Sequence, residues 1–150
     1  MTDANVTTFA LLLFDECNLA LLHRDGPDLP WSATAHGPLA AGAQPETAAR
    51  EALGRVVGVE TAAVHVANEG DTALFFALAA EAERGADAPA RGEWRRFSLL
   101  EMAELAEQGR LSPELAAALP AVRANAIRIP YLKQSDGDYI YRFRTEKQRN

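Results

Sequence analysis

Three side chains between residues 36 and 55 are suited to acid–base chemistry and to anion binding. Histidine is the residue type best suited to acid–base chemistry, so His36 is a candidate to donate or accept a proton in a reaction. Glu51 offers a carboxylate for the same purpose, and Arg55 offers a guanidinium that can hold a phosphate or carboxylate through two parallel hydrogen bonds. The simpler alternative is a hydrogen-bonded loop histidine beside an exposed Glu51–Arg55 ion pair on one helix face. His36 and Glu51 are therefore candidate catalytic residues, and Arg55 is a candidate ligand-binding residue.

The sequence lacks the residue patterns of several other kinds of metal, catalytic or phosphate-binding site. Cys17 is the single cysteine, and the three histidines do not have the spacing of metal ligands. The sequence also lacks a serine nucleophile elbow and a glycine-rich phosphate loop. We therefore expect no metal and no cofactor.

Two aromatic residues, Trp31 and Phe76, are further candidates for ligand contact, because aromatic side chains commonly line small-molecule pockets. Phe75 and Phe76 are adjacent on a predicted strand, so their side chains face opposite sides and at most one of them can line a cleft. Core packing is the alternative interpretation for each of these aromatic residues.

A mixed order of predicted strands and helices carries these residues. Two apolar runs around a polar turn predict a β-hairpin over residues 9–14 and 19–22. Pro45 is expected to begin a helix that ends at Gly58, and Ser98 begins another in which Glu101 completes a capping box. The other predicted elements are strands over 64–66, 73–80 and 94–97, a helix that begins at 111–114 and ends near Leu119, and a C-terminal hairpin over 127–134 and 138–144.

Residues 37–59 read GPLAAGAQPETAAREALGRVVGV and resemble the signature of the Nudix superfamily. Gly37 and Gly58 reproduce the length of that motif without a gap, and Leu53 and Val59 occupy its aliphatic positions. The resemblance implies an α/β fold, a Nudix-like α/β/α sandwich with a mixed sheet between helices.

The chain departs from the Nudix pattern at the positions where the resemblance would place metal-binding glutamates. These positions hold Ala43, Ala52, Arg55 and Val56, none of which supplies an oxygen ligand for Mg²⁺ or Mn²⁺. We therefore expect a metal-independent enzyme that acts on a small anionic metabolite. One alternative is a catalytically inactive Nudix-fold module that binds a ligand or regulates. Another is residual Nudix-type diphosphate hydrolysis, in which a one-residue slip gives Glu51 to the metal.

Charge is divided unevenly along the 150 residues. The formal net charge is −6, with −10 in residues 1–122 and +4 in residues 123–150. We expect residues 1–122 to form the Nudix-like domain and residues 123–150 to extend it as a C-terminal hairpin. The basic tail is suited to folding back on the acidic body or to binding phosphate or lipid. Its aromatic segment over 127–144 predicts a homodimer contact, a cover for a sheet edge or a lid over the cleft.

Composition also limits the partners and the location of the protein. The acidic balance speaks against nucleic-acid binding, because phosphate neutralisation supplies most of that affinity. No apolar run reaches the roughly eighteen residues that a membrane span needs, and the first residues lack the pattern of a secretory signal. We expect a cytoplasmic protein whose partner is a small molecule, with no nucleic acid and no membrane.

Overall fold

A mixed six-stranded sheet lies between helices in the described part of the chain. The computed structural model describes residues 6–15, 17–57, 63–78 and 92–126. In chain order the elements are β1 (Thr8–Phe14), β2 (Ala20–Arg24), β3 (Ala35–Pro38), α1 (Pro45–Val57), β4 (Ala63–Glu69), β5 (Thr72–Leu78), β6 (Glu93–Phe97), α2 (Leu99–Glu107) and α3 (Pro113–Asn125). The strand order is β4-β5-β1-β2-β6, and β3 pairs with β1 outside this path. β1 and β5 run parallel, whereas the other pairs are antiparallel.

Strand β1 is buried on both faces, because its alternate side chains enter two different cores. Ala10 and Leu12 pack in a core that includes residues of α2 and α3. Phe9 and Leu11 pack in a second core with residues of α1. Helix α1 therefore covers one face of the sheet, and α2 and α3 cover the other, which confirms the predicted α/β/α sandwich.

The local sequence signals predict most of the described elements correctly. The first hairpin is present, with β1 antiparallel to β2, and α1 begins at Pro45 as expected. The capping box of α2 is also confirmed. The Ser98 hydroxyl accepts a hydrogen bond from the Glu101 N–H, and the Glu101 carboxylate accepts one from the Ser98 N–H. The strands predicted in the middle of the chain correspond to β4, β5 and β6.

The prediction that the last helix ends near Leu119 is wrong, because α3 continues to Asn125 with Pro120 inside it. Proline cannot donate the backbone hydrogen bond of a helix interior, so it normally breaks or kinks a helix. Leu119 and Val122 are buried in the core on the inner face of α3. Because this burial offsets the missing hydrogen bond, the helix continues through the proline.

Strand β3 is an element that the local sequence does not predict. Its sequence is AHGP, and alanine, glycine and proline have low strand propensity. The strand forms because Ala35–Pro38 pairs with Thr8–Leu11 of β1. Gly37, the first glycine of the Nudix-like motif, lies opposite Phe9 within this strand.

Several expectations concern residues beyond the described ones. The C-terminal hairpin at 127–134 and 138–144, with its dimer contact, lies outside the described residues, as does the helix stop at Gly58. Among the helices that are described, none has the length and apolar character needed to cross a membrane.

On one side of β1 two strands, β3 and β2, pair with successive parts of it and diverge from each other, an arrangement that we call the fork. The first half of β1 pairs with β3, whereas its last residue, Phe14, pairs with Ala20 of β2. Thr34, which is buried, lies between the branches. Its Oγ1 accepts a hydrogen bond from the Leu13 N–H at 3.0 Å and donates one to the Leu21 carbonyl oxygen. One hydroxyl thus satisfies two backbone groups that the diverging strands leave without a strand partner.

We predict that Thr34→Val lowers the free energy of unfolding by about 2–4 kcal/mol, because the buried Leu13 N–H and Leu21 carbonyl both lose their partner. Valine keeps the shape of the side chain, so the loss isolates the hydrogen bonds. Urea unfolding measures the effect. The matched control is Thr47→Val, at an exposed position of α1, which we expect to change stability by no more than about 0.5 kcal/mol. Equal effects at the two positions would show that Thr34 does not hold the fork.

Candidate functional site

A partly open cavity of about 260 Å³ lies where the first residues of β1 and β5 meet β3, on the face that carries α3. It is bounded by the start of β1, by β3, by the start of β5 and by the first turn of α3. Its apolar wall includes Phe9, Ala10, Ala33, Pro38 and Leu115, and its polar groups come from Thr8, His36, Thr72, Ser112 and Glu114. A concave apolar space with a few polar groups is the usual form of a small-molecule site.

Two threonine hydroxyls form part of the cavity wall. Thr8 and Thr72 are register partners in the parallel β1–β5 pair, so their side chains lie side by side on the α3 face. Their Oγ1 atoms are 2.8 Å apart and share one hydrogen bond. Each hydroxyl carries a proton and that contact uses only one. The second proton is therefore left to donate to a ligand.

His36 and Glu114 belong to different elements of the cavity wall, β3 and α3. His36 lies directly across from Ala10 in the β1–β3 pair, and opposite residues in such a pair place their side chains on the same face. Glu114 lies in the first turn of α3, where Ser112 caps the helix by accepting a hydrogen bond from the Leu115 N–H. Both titratable side chains are exposed, so a bound ligand can reach them.

Of the residues proposed from sequence, His36 is the one that lines the cavity. Glu51 and Arg55 lie on the exposed side of α1, whose buried residues Ala49 and Leu53 pack against the opposite face of the sheet. The sheet thus separates His36 from Glu51 and Arg55. The expected ion pair between Glu51 and Arg55 is not formed among the contacts of the described residues.

The two aromatic candidates are core residues. Trp31 is 2% exposed and packs edge-on against Phe97, with ring centroids 4.9 Å apart. Phe76 is fully buried and packs edge-on against Phe14 at 5.0 Å. Phe75 enters the other core, as the alternation of a strand predicts. Neither Trp31 nor Phe76 is among the described residues that line the cavity.

Most of the polar residues of the cavity carry no local sequence signal of function. Thr8 and Thr72 are 64 positions apart, and each is an ordinary strand residue when taken alone. Ser112 and Glu114 are recognisable only as a helix start. His36 stands out because its type suits acid–base chemistry and because it precedes a glycine of the Nudix-like motif.

Candidate metal ligands are not clustered in the described residues. No set of three or more His, Cys, Asp or Glu side chains within residues 6–15, 17–57, 63–78 and 92–126 is placed to hold a metal ion. No chemical step is therefore assigned to a metal.

Arginines of β2 and β6 are bound to carboxylates. Arg24 donates to Glu93 through Nε at 2.7 Å and also through its terminal nitrogen, and Arg95 contacts the other oxygen of Glu93 at 3.2 Å. Arg96 pairs with Asp15 at 3.1 Å. The hydrogen bond from Arg24, strengthened by the charges of both arginines, holds the pKa of Glu93 below its ordinary value of 4.5.

Solved structures of Nudix proteins have the same fold. A Nudix hydrolase from M. smegmatis, RenU, is 21% identical with a TM-score of 0.60, over 84% of this chain and 89% of its own. DR0079 from Deinococcus radiodurans is 14% identical with a TM-score of 0.60, over 77% of this chain and 81% of its own. The mutator protein MutT from Bacillus halodurans is 16% identical with a TM-score of 0.50, over 75% of this chain and 78% of its own.

Sequence comparison gives no match where structure comparison does. No protein-family model matches the chain, and no curated protein sequence matches it. The chain has the fold of the Nudix superfamily, as the resemblance of residues 37–59 to that family's signature implied. Similarity at this level of identity establishes the fold and leaves function to the residues of the site.

We predict that the ion pair of Glu93 contributes to stability at neutral pH and is lost in acid. Because its pKa in the folded protein is lowered, the contribution is present above 4.5 and disappears as the pH falls through the folded-state pKa. The difference in free energy of unfolding between the wild type and Glu93→Gln should therefore be largest at neutral pH and shrink below 4.5.

The control for this prediction is the same comparison in an Arg24→Gln background. Removal of the main hydrogen-bond donor should reduce the pH-dependent part of the difference. Urea unfolding at pH values from neutral to acid measures the difference in free energy of unfolding in both backgrounds. A difference that stayed constant across this range would rule out an ionised Glu93 as the source of the stability.

Proposed function

We propose that the chain binds a small metabolite in the cavity between β1, β3, β5 and α3, without a divalent metal. The observation that carries the proposal is the cavity of about 260 Å³, with an apolar wall and polar groups that converge on it. Small-molecule sites usually combine apolar surface, which supplies affinity, with a few polar groups that set orientation.

The polar groups of the cavity have hydrogen-bonding capacity left for a ligand. Thr8 and Thr72 share a hydrogen bond that uses one of their two protons. The Ser112 hydroxyl accepts from a backbone N–H in its helix, so its own proton is available to a ligand. The neighbouring Ala10 and Leu115 are almost fully buried. They limit access of water to these hydroxyls, which strengthens hydrogen bonds formed there.

Metal independence is supported by the residues of the Nudix-like segment and by the position of α1. Ala43, Ala52 and Val56 have no side-chain donor, and Arg55 carries a positive charge that repels a cation. Helix α1 also packs on the sheet face opposite α3. In this proposal the ligand is held by hydrogen bonds and apolar contacts of the cavity itself.

We predict that a ligand found by thermal unfolding against a panel of metabolites raises the midpoint equally with Mg²⁺ and with EDTA. At a ligand concentration of about 100 Kd, binding stabilises the native state by about 2.7 kcal/mol. For a chain of this length that corresponds to a rise of roughly 5–10 °C. The panel should include nucleotides, sugar phosphates, amines, carboxylic acids and neutral aromatic compounds.

A matched pair of variants tests whether the cavity is the binding site. His36→Trp places a large side chain in the cavity and should abolish the rise in midpoint. His65→Trp makes the same change on β4, where His65 is exposed and lies outside the cavity wall, and should preserve the rise. A rise that needed Mg²⁺, or that survived His36→Trp, would contradict the proposal.

A second candidate function is metal-independent catalysis in the same cavity. It is favoured by the presence of two titratable side chains, His36 and Glu114, among the described residues that line it. Histidine is the side chain best suited to moving a proton near neutral pH. In this version His36 is the general acid or base for the bound metabolite, and Glu114 is the second titratable group of the same cavity wall.

We predict that, if the stabilising ligand is turned over, His36→Gln lowers kcat by about 10²–10⁴-fold while the rise in unfolding midpoint is retained. Glutamine keeps hydrogen bonding but cannot transfer a proton at neutral pH. Turnover is followed by NMR of the ligand. Glu51→Gln and Arg55→Gln are measured in parallel, because a loss confined to these α1 variants would move the reaction away from the cavity. Unchanged kcat in His36→Gln would remove its catalytic role.

A further inference from the structure

The charges in the cavity wall are not those of a site for a phosphate or a carboxylate. Among the described residues that line the cavity, Glu114 is the only Asp, Glu, Lys or Arg. Residues 1–122 contain no lysine, and no arginine is among the described lining residues. A negatively charged ligand would therefore lie beside a carboxylate without a described cation to neutralise it.

The arginines of β2 and β6 are paired with carboxylates outside the cavity wall. Arg24 and Arg95 both contact Glu93, and Arg96 contacts Asp15. These pairs lie along β2 and β6, which do not contribute to the described wall of the cavity. A guanidinium already paired with a carboxylate is a weak partner for a second anion, because its charge is largely compensated.

The remaining described arginines do not compensate Glu114 either. Arg50 and Arg55 lie on α1, across the sheet from α3, while Arg110 precedes the α3 turn and Arg123 lies near its end. All four are exposed, and none lines the cavity. The cavity wall therefore keeps a negative formal charge.

A second carboxylate lies next to the cavity on the β5 side. Asp71 directly precedes Thr72, and its Oδ2 accepts a hydrogen bond from the Thr7 hydroxyl at 3.2 Å. The Asp71 backbone carbonyl also accepts hydrogen bonds from the N–H groups of Thr7 and Thr8. These contacts fix the Asp71 backbone beside the threonine pair, and its carboxylate is held by Thr7 outside the described cavity wall.

We propose that Glu114 makes the cavity selective for small ligands that carry a protonated amine. The ammonium group would donate to the Glu114 carboxylate and to the hydroxyl oxygens of Thr8 and Thr72, while the apolar part of the ligand contacts Ala10 and Leu115. This inference rests on the proposed function, because it takes the cavity to be a ligand site. It replaces the anionic metabolite expected from Arg55 with a ligand of the opposite charge.

The test uses three probes of similar size and different charge: benzylamine, benzyl alcohol and benzoate. Each is titrated into the ¹⁵N-labelled full-length protein, and the shifts of the Thr8, His36 and Thr72 amide signals report binding in the cavity. We expect benzylamine to bind roughly tenfold more tightly than benzyl alcohol, which corresponds to one charge-assisted hydrogen bond at a partly exposed site. Benzoate should bind more weakly than either.

Three variants attribute the preference to the Glu114 charge. Glu114→Gln should remove most of the tenfold preference for benzylamine while leaving benzyl alcohol binding unchanged within about twofold. Glu114→Asp, which restores the charge on a shorter side chain, should recover part of the preference. Glu107→Gln removes an exposed carboxylate of α2 that lies outside the cavity wall, and it should leave the order of the three probes unchanged.

The outcomes separate this inference from the proposed function. If benzoate binds in the cavity as tightly as benzylamine, or if Glu114→Gln does not change the order, the charge selectivity is overturned while the cavity remains a ligand site. If none of the three probes shifts the cavity signals at saturating concentration, both the selectivity and the proposed function are overturned. A preference for benzylamine that depends on Glu114 supports both.

Discussion

The fork of β1, closed by one buried hydroxyl, is the constraint on which the rest of the structure depends. β1 pairs along its whole length with β5 on one side. On its other side it pairs with β3 at its start and with β2 at its end. Thr34 bonds one backbone group of β1, the Leu13 N–H, and one of β2, the Leu21 carbonyl oxygen. Because β3 occupies only the first half of β1, His36 is held opposite Ala10, where it forms part of the cavity wall.

The sheet itself decides which polar groups can act together. Alternating side chains of β1 and β5 fill two separate cores, one beneath α1 and the other beneath α2 and α3. Residues of the Nudix-like helix therefore face away from the cavity, although they are close in sequence to His36. The fold of the Nudix superfamily is retained, while the described polar groups that converge on a cavity come from β1, β3, β5 and α3.

The arginines of β2 and β6 form ion pairs away from the cavity, whereas the carboxylate in the cavity wall has no such partner among the described residues. At the β2–β6 side, Arg24 lies over the Trp31 ring at 4.5 Å and binds Glu93 at the same time, so its charge is used within the fold. The guanidinium covers the face of the Trp31 ring, and Glu93 pairs the charge of an arginine whose side chain is largely buried. In the cavity wall, Glu114 has no arginine partner among the ion pairs of the described residues.

Local sequence signals determined the first hairpin, the start of α1 and the capping box of α2, because these features depend on turn chemistry, capping and hydrophobic periodicity over a few residues. The Nudix fold was implied by the resemblance of residues 37–59 to the signature of that superfamily. Only the tertiary structure decided the existence of β3, the length of α3 and the composition of the cavity. Each depends on residues far apart in the chain: Ala35–Pro38 becomes a strand because β1 is beside it, and α3 passes Pro120 because its next turn is buried. Thr8 and Thr72 became one site because the parallel register of β1 and β5 places their hydroxyls 2.8 Å apart, a contact between residues 64 positions apart that no local pattern contains.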